Sequence, residues 1–350
     1  MNLKRIFAGV AVGILAAILF LPVKAGAISA ECAILIDAQT GRVLYEKQAE
    51  EKSLIASTTK IMTALVICEQ TNVLDRVKIP KEAVGIEGSS MYLKEGEVLT
   101  VQELLYGLML QSGNDAAVAL AIYCGGTVEG FTELMNDKAH RLGMTQSHFA
   151  NPNGLDSPGN YSTARDMGIL TAYAMQNLIF AQTVSTKTIT IGERCLRNHN
   201  KLLWQLEGAN GVKTGYTKAA GRILISSVTR MGRQLIAVTF NAPDDWQDHK
   251  TLIEDGFSRF TVQKLIRQGQ TLGQLELAGG QETSVDLIAA EDFSYSLAQG
   301  ERVTISLPEA GFAYAPVAEG QEAGFAHILV DGTAVAKVPL AYGATIERAD

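Results

Sequence analysis

GRILISSVTRMGRQLIAVTFNAP (residues 221–243) decides how the rest of the chain is read. Two runs of β-type residues flank residues 229–233, and Gly232 supplies the turn between them, so the segment reads as two paired strands. Upstream, GVKTGYT (211–217) begins the change to strand periodicity; downstream, WQDHKTLIEDGFSRFTVQKLI (246–266) reads as a return to helix. Near the other end, ECAILIDAQTGRVLYEKQ (31–48) shows a second hairpin signature around residues 37–41. Between the hairpins lie helical patterns. One follows Ser57, and a second opens with a Thr100/Glu103 capping box and repeats Leu104, Leu105 and Leu108 at helical spacing. Others span 116–126, 127–144 and 162–176, the last with Ser162 or Thr163 as N-cap. Strands that bracket a helical block predict an α+β fold, a helical cluster packed on an antiparallel sheet. Beyond Gln268 the chain breaks into short alternating runs such as RVTISL and AHILV with glycine-rich turns, which predicts a small all-β domain.

A chain of 350 residues allows two domains more readily than one. Its net charge of −7 argues against nucleic acid as a partner, because phosphate binding needs a basic surface. Lys4 and Arg5, the apolar run IFAGVAVGILAAILFLPV and the small residues Ala25, Gly26 and Ala27 form the pattern of an export signal. An uncleaved membrane anchor is the alternative, since the run approaches the length needed to span. The expected division is a signal segment at 1–27, a catalytic domain at 28–267 and a β-domain at 268–350. Cys32, Cys68, Cys124 and Cys195 lie far apart in apolar contexts. No Cys or His spacing suggests a metal, and no cofactor is implied. Disulfides and buried free thiols both remain open.

Three short motifs carry the chemistry. Ser57 and Lys60 stand three apart, so on a helix they share a face. At a helix start the serine meets unpaired N–H groups and the positive end of the dipole. Lys60 can take the serine proton only as a neutral amine, a state that burial and a second cation would both favour. The plain alternative is a capped helix whose hydroxyl and amine happen to be neighbours. Ser112, Gly113 and Asn114 interrupt two apolar helices; they read either as ordinary loop residues or as a hydroxyl and an amide held on a rigid turn. Lys213, Thr214 and Gly215 begin a strand; a lysine and a hydroxyl beside glycine grip a carboxylate, unless this is only a surface strand start. In this order, each in the right context, the three form a serine acyl-enzyme signature.

On these motifs, and on SSMYLKEGE, LLYGLMLQSGNDAAVALA, FANPNGLD, YSTARDM and GVKTGYT, the sequence resembles the low-molecular-mass penicillin-binding protein family of D-alanyl-D-alanine carboxypeptidases. The resemblance implies a β-lactamase/transpeptidase-like fold with a five-stranded sheet, followed by a small β-domain. It implies Ser57 as the acylated nucleophile, Lys60 as its base, and Ser112 and Asn114 as the second motif. Lys213 and Thr214, beside Gly215, would clamp the terminal carboxylate, and the backbone N–H groups of Ser57 and Tyr216 would form the oxyanion hole. The implied substrate is the peptidoglycan stem peptide ending in D-Ala-D-Ala, and β-lactams would acylate the same serine.

Competing readings are a D,D-endopeptidase acting on cross-links, a β-lactamase and a non-catalytic wall-binding protein. FANPNGLDSPGNYS contains no glutamate to activate a deacylating water, which disfavours the β-lactamase. Intact Ser57, Lys60 and Lys213 disfavour the binding module. The final residues, VAKVPLAYGATIERAD, show no apolar-basic stripe for a membrane surface, and NAPDDWQDH offers no basic residue beside the clamp strand. His199 reads as a polar loop histidine, with Asn198 and Asn200 alike, and Asp166 as an acid favoured by a helix start. Trp204 and Trp246 are core or cleft.

Overall fold

The computed structural model describes residues 28–307 and 311–349. The signal expected at 1–27 therefore lies outside the described residues, among which no helix is long and apolar enough to cross a membrane.

The central sheet contains β1 (Cys32–Asp37), β2 (Val43–Lys47), β3 (Ala209–Thr217), β4 (Gly221–Arg230) and β5 (Arg233–Phe240). Its order is β2-β1-β5-β4-β3, with every pairing antiparallel, so β3 is an edge. Each strand alternates between two cores, as the two-residue period of a strand requires. Cys32, Ile34 and Ile36 of β1 enter the core beneath the helical cluster, whereas Ala33 and Leu35 enter a second core on the opposite face. Both faces are covered, which explains why all six residues of β1 are buried.

The helical cluster comprises α1 (Lys60–Gln70), α2 (Val101–Leu110), α3 (Asn114–Gly125), α4 (Val128–Arg141), α5 (Ala164–Ala174) and α6 (Leu178–Ser185). The capping box that opens α2 is present: Thr100 Oγ1 accepts from the Glu103 N–H at 3.2 Å, and Glu103 Oε2 accepts from the Thr100 N–H at 2.7 Å. For α5 the cap is Thr163, whose hydroxyl accepts from the Asp166 N–H at 3.1 Å. Helix α1 is the centre of the cluster. Every residue from Lys60 to Ile67 is buried, the mark of a helix enclosed on all sides. That burial fixes Lys60 inside the protein.

A short helix, α7 (Leu202–Gln205), precedes β3, and α8 (Asp245–Arg259) covers the second face of the sheet. Here one expectation is corrected. The helix predicted over 246–266 ends at Arg259, and Phe260–Ile266 is a strand paired with Phe293–Ala298. Cross-strand pairing outweighs the weak helical periodicity of FTVQKLI. The remainder forms a six-stranded sheet that includes Thr271–Ala278, Ser284–Ala289, Glu322–Val330 and Thr333–Tyr342, with its own apolar cores.

The β-domain is fastened to one end of the central sheet. Asp37, fully buried, accepts from Arg233 Nε at 2.7 Å and from Ser296 Oγ at 2.6 Å. Burial alone would raise the Asp37 pKa; the hydrogen bonds from Ser296 and Arg233 outweigh it and hold the carboxyl below its ordinary value. Beside it Arg42 pairs with Glu301, its guanidinium about equally close to the rings of Phe260 and Tyr295, at 5.1 and 5.2 Å. All four cysteines are free, which resolves the two alternatives: Cys32 is buried, Cys68 and Cys124 are half-buried, and Cys195 is exposed.

Candidate active site

Ser57 lies in a single 3₁₀ turn, Ala56–Thr59, directly before α1 rather than within the α-helix itself. The turn still sets Ser57 and Lys60 face to face: Lys60 Nζ is 3.1 Å from Ser57 Oγ. Its other neighbours are Asn114 Oδ1 at 2.7 Å and the carbonyl oxygen of Asn153. Asn114 is held in turn, donating from Nδ2 to the Glu87 carbonyl at 2.5 Å. Lys60 has no exposed surface. Burial lowers its pKa far below the ordinary lysine value, and the charge of Lys213 lowers it further against a smaller opposing pull from Asp115. Burial also takes Lys213 down, to about 7. Burial and mutual repulsion thus both oppose charging the two amines together.

The turn before α3 places Ser112 and Asn114. Ser112 adopts a left-handed backbone, φ +60°, and is nearly buried at the cleft. Asp115 fixes the opposite wall by accepting from the N–H groups of Met91 and Leu93 at 3.0 Å and from Ser90 Oγ at 2.6 Å. The Asn114 N–H donates to the Ser89 carbonyl at 2.7 Å, so Ser89 joins the lining.

Edge strand β3 forms the third wall. Lys213 Nζ donates to the Thr214 carbonyl at 2.8 Å. At Gly215 a Cβ would stand 3.2 Å from Thr58 Cγ2 and 3.3 Å from the Ile55 carbonyl oxygen, so the absent side chain lets the strand press against the Ser57 turn. The strand is braced from behind by Asn200, which donates to the Gly211 carbonyl at 2.7 Å. Asn198 anchors the same loop to the carbonyls of Val184 and Thr186 at 3.1 and 3.0 Å.

The floor is the asparagine-rich stretch at 149–160. Gly154, at φ +82°, is where the backbone comes closest: a Cβ there would lie 1.9 Å from the Ala56 carbonyl oxygen. Asn151 holds it by accepting from the Gly154 N–H at 2.7 Å. Asp156, the one carboxylate in this stretch, accepts from Thr217 Oγ1 at 3.0 Å.

Together these walls enclose a cleft of about 370 Å³ whose lining includes Ser57, Ser112, Thr214, Gly215 and Tyr216. All three sequence motifs therefore converge. His199, expected as a loop histidine, lines the cleft, its pKa lowered by desolvation and then by Lys213. Lys201, Arg222, Asp245 and Trp246 line it too. NAPDDWQDH holds no basic residue beside the clamp strand; the cation there, Arg222, comes from neighbouring strand β4, paired in register with Tyr216. Arg222 Nη2 is held by Asp245 at 2.8 and 3.0 Å. Asp166, as expected, is a structural acid, accepting from the Gln146 N–H and Ser147 Oγ. Among the described residues no cluster of His, Cys, Asp and Glu is arranged to hold a metal.

The site sets the Ser57 hydroxyl within proton-transfer distance of an amine whose charge burial disfavours, with further polar groups on two walls. Comparison with known proteins agrees in kind. The family model described as D-alanyl-D-alanine carboxypeptidase matches residues 21–244, and the penicillin-binding protein 5 C-terminal domain matches 260–348. D-alanyl-D-alanine carboxypeptidase DacF of Bacillus subtilis is 33% identical over 91% of this chain and 86% of its own length. DacC of Escherichia coli is also 33% identical, over 93% of this chain and 86% of its own. The solved penicillin-binding protein 5 of Haemophilus influenzae superposes with a TM-score of 0.82 at 30% identity, covering 92% of this chain and 98% of that one. The chain belongs to the D-alanyl-D-alanine carboxypeptidase family.

Proposed function

We propose that this protein is a serine-type D-Ala-D-Ala carboxypeptidase that removes the terminal D-Ala from peptidoglycan stem peptides. The observation that carries the mechanism is the set of neighbours around Lys60 Nζ. Two of them, Asn114 Oδ1 and the Asn153 carbonyl, only accept hydrogen bonds. A neutral amine has two hydrogens to give them, and its lone pair is then left for the Ser57 hydroxyl, 3.1 Å away. Ser57 Oγ attacks the penultimate D-Ala carbonyl as its proton passes to Lys60. The developing oxyanion is met by the backbone N–H groups of Ser57 and Tyr216. Ser112 carries a proton to the departing D-Ala nitrogen, and the C–N bond breaks. Asn114 holds the substrate amide, while Lys213 and Thr214, beside Gly215, take the terminal carboxylate.

Water then attacks the Ser57 ester, with Lys60 as the base. No glutamate lies in 149–162 to assist, and Asp156 is engaged by Thr217. The missing base supports carboxypeptidase over β-lactamase, and a β-lactam that opens on Ser57 should accordingly be released slowly. Because the substrate lies in the wall, the reading includes export through the segment at 1–27. It keeps the division into a catalytic unit at 28–267 and a β-unit at 268–350, with Phe260–Ile266 as the seam.

The test is D-Ala release from a stem-pentapeptide mimic, paired with mass spectrometry after benzylpenicillin. The unaltered protein releases D-Ala and carries one adduct on the Ser57 peptide; Ser57→Ala does neither. Release that persists in Ser57→Ala would overturn the assignment.

A further inference from the structure

His199 and Lys201 also line a second, adjacent groove of about 700 Å³. Its lining includes Gln111, Arg197, Asn198, Trp204 and Gln205 in addition to the two residues shared with the catalytic cleft. Gln111 directly precedes Ser112, so the groove opens from the same wall that carries the second motif. The lining contains an arginine and a lysine and no carboxylate, in a chain of net charge −7. Among the described residues, neither Arg197 nor Lys201 forms an ion pair. The Arg197 guanidinium instead sits 5.2 Å over the Trp204 ring, and that ring is 42% exposed. Asn198 and Asn200 pin the intervening backbone to the protein interior, so these groups are presented on a fixed frame.

A guanidinium over the exposed Trp204 and a lysine amine over Trp246, neither ion-paired and both beside a peptide-cleaving centre, match an extended peptide that carries a carboxylate. We propose that this groove is an additional subsite for a remote carboxylate of the substrate, read by Arg197 and Lys201 with Trp204 as the platform. The proposal rests on the carboxypeptidase reading. The carboxylate has two possible sources, the stem upstream of D-Ala-D-Ala or the segment beyond the scissile bond in a cross-linked peptide.

The experiment compares kcat/KM for peptides with that carboxylate free and amidated, in an upstream arm and in a cross-linked arm. An exposed carboxylate–guanidinium contact predicts a preference of about fivefold for the free acid in one arm, diminishing as salt is raised. Arg197→Gln brings the ratio close to unity through KM, and Arg197→Lys retains part of it. Adduct formation with benzylpenicillin reports that each variant's cleft is intact. A ratio near unity in both arms for the unaltered enzyme, or a preference that survives Arg197→Gln, overturns the subsite. Failure of the enzyme to release D-Ala from any of the peptides would instead remove the carboxypeptidase reading, and this proposal with it.

Discussion

Replacing Lys213 by methionine should stabilise the protein while destroying its activity. Lys213 is buried, and its pKa falls from 10.5 to about 7 on folding. In the unfolded chain the amine keeps its proton up to the higher value. Between the two values the unfolded state therefore binds more protons, and stability rises with pH. Linkage puts the cost of burying this amine at about 4 kcal/mol at pH 7 and about 2 kcal/mol at pH 9. Methionine has similar length and no charge to desolvate. It forfeits the bond from Nζ to the Thr214 carbonyl, which offsets about 1 kcal/mol. Lys213→Met is thus expected to be more stable by about 3 kcal/mol at pH 7 and by about 1 kcal/mol at pH 9. Lys60 adds to the effect with the same sign, because losing a neighbouring cation relieves its own depressed pKa. Urea unfolding of both proteins at the two pH values measures the difference, and D-Ala release measures the loss of function. A stability difference that stays constant between pH 7 and pH 9 would refute the claim that burial holds this amine near neutrality.

Gly154→Ala should lower kcat/KM by about 100-fold with secondary structure retained, since a Cβ 1.9 Å from the Ala56 carbonyl must displace the residue preceding Ser57; unchanged acylation by benzylpenicillin would contradict this. His249 is fully buried between Ser226 Oγ and Thr239 Oγ1, and burial pushes its pKa down to about 3. Below pH 6.5 only the unfolded state takes up this proton, so the group removes about 3 kcal/mol of stability between pH 7 and pH 4. His249→Gln should flatten that part of the acid profile, as read by denaturant unfolding at the two pH values. Arg42→Ala should loosen the β-domain by removing the Glu301 pair and the stacking on Phe260 and Tyr295, seen as faster limited proteolysis near residues 260–267; an unchanged rate would count against the seam.

The parts of this fold that sequence discloses are those specified locally. The hairpin turns at Gly41 and Gly232, the Thr100/Glu103 box and the Thr163 cap each depend on residues within a few positions of one another. Phe260–Ile266 reads as helix in sequence because its strand character depends on a partner at Phe293–Ala298, some thirty residues away, which no periodicity records. The site divides in the same manner. Ser57 with Lys60, Ser112 with Asn114, and Lys213 with Thr214 carry their chemistry in short spacings. His199, Lys201, Arg222 and Trp246 meet only because the loop before α7, strand β4 and helix α8 converge on the edge of β3. The Asn153 carbonyl, which receives a hydrogen bond from Lys60, is a backbone group and leaves no mark on residue type.

The Asp37–Arg233–Ser296 junction has a mechanical meaning. Thr214 pairs with Leu224, and the β4–β5 turn follows Arg230, so the strand carries the reactive hydroxyl's surroundings about 20 Å from the fastened end. A buried carboxylate shared by Arg233 and Ser296 is thus what ties the β-unit to the end of the central sheet. Losing that carboxylate would leave Arg233 and Ser296 without a shared acceptor and loosen the two units against each other, while the cleft at the far end of the strand keeps its own walls.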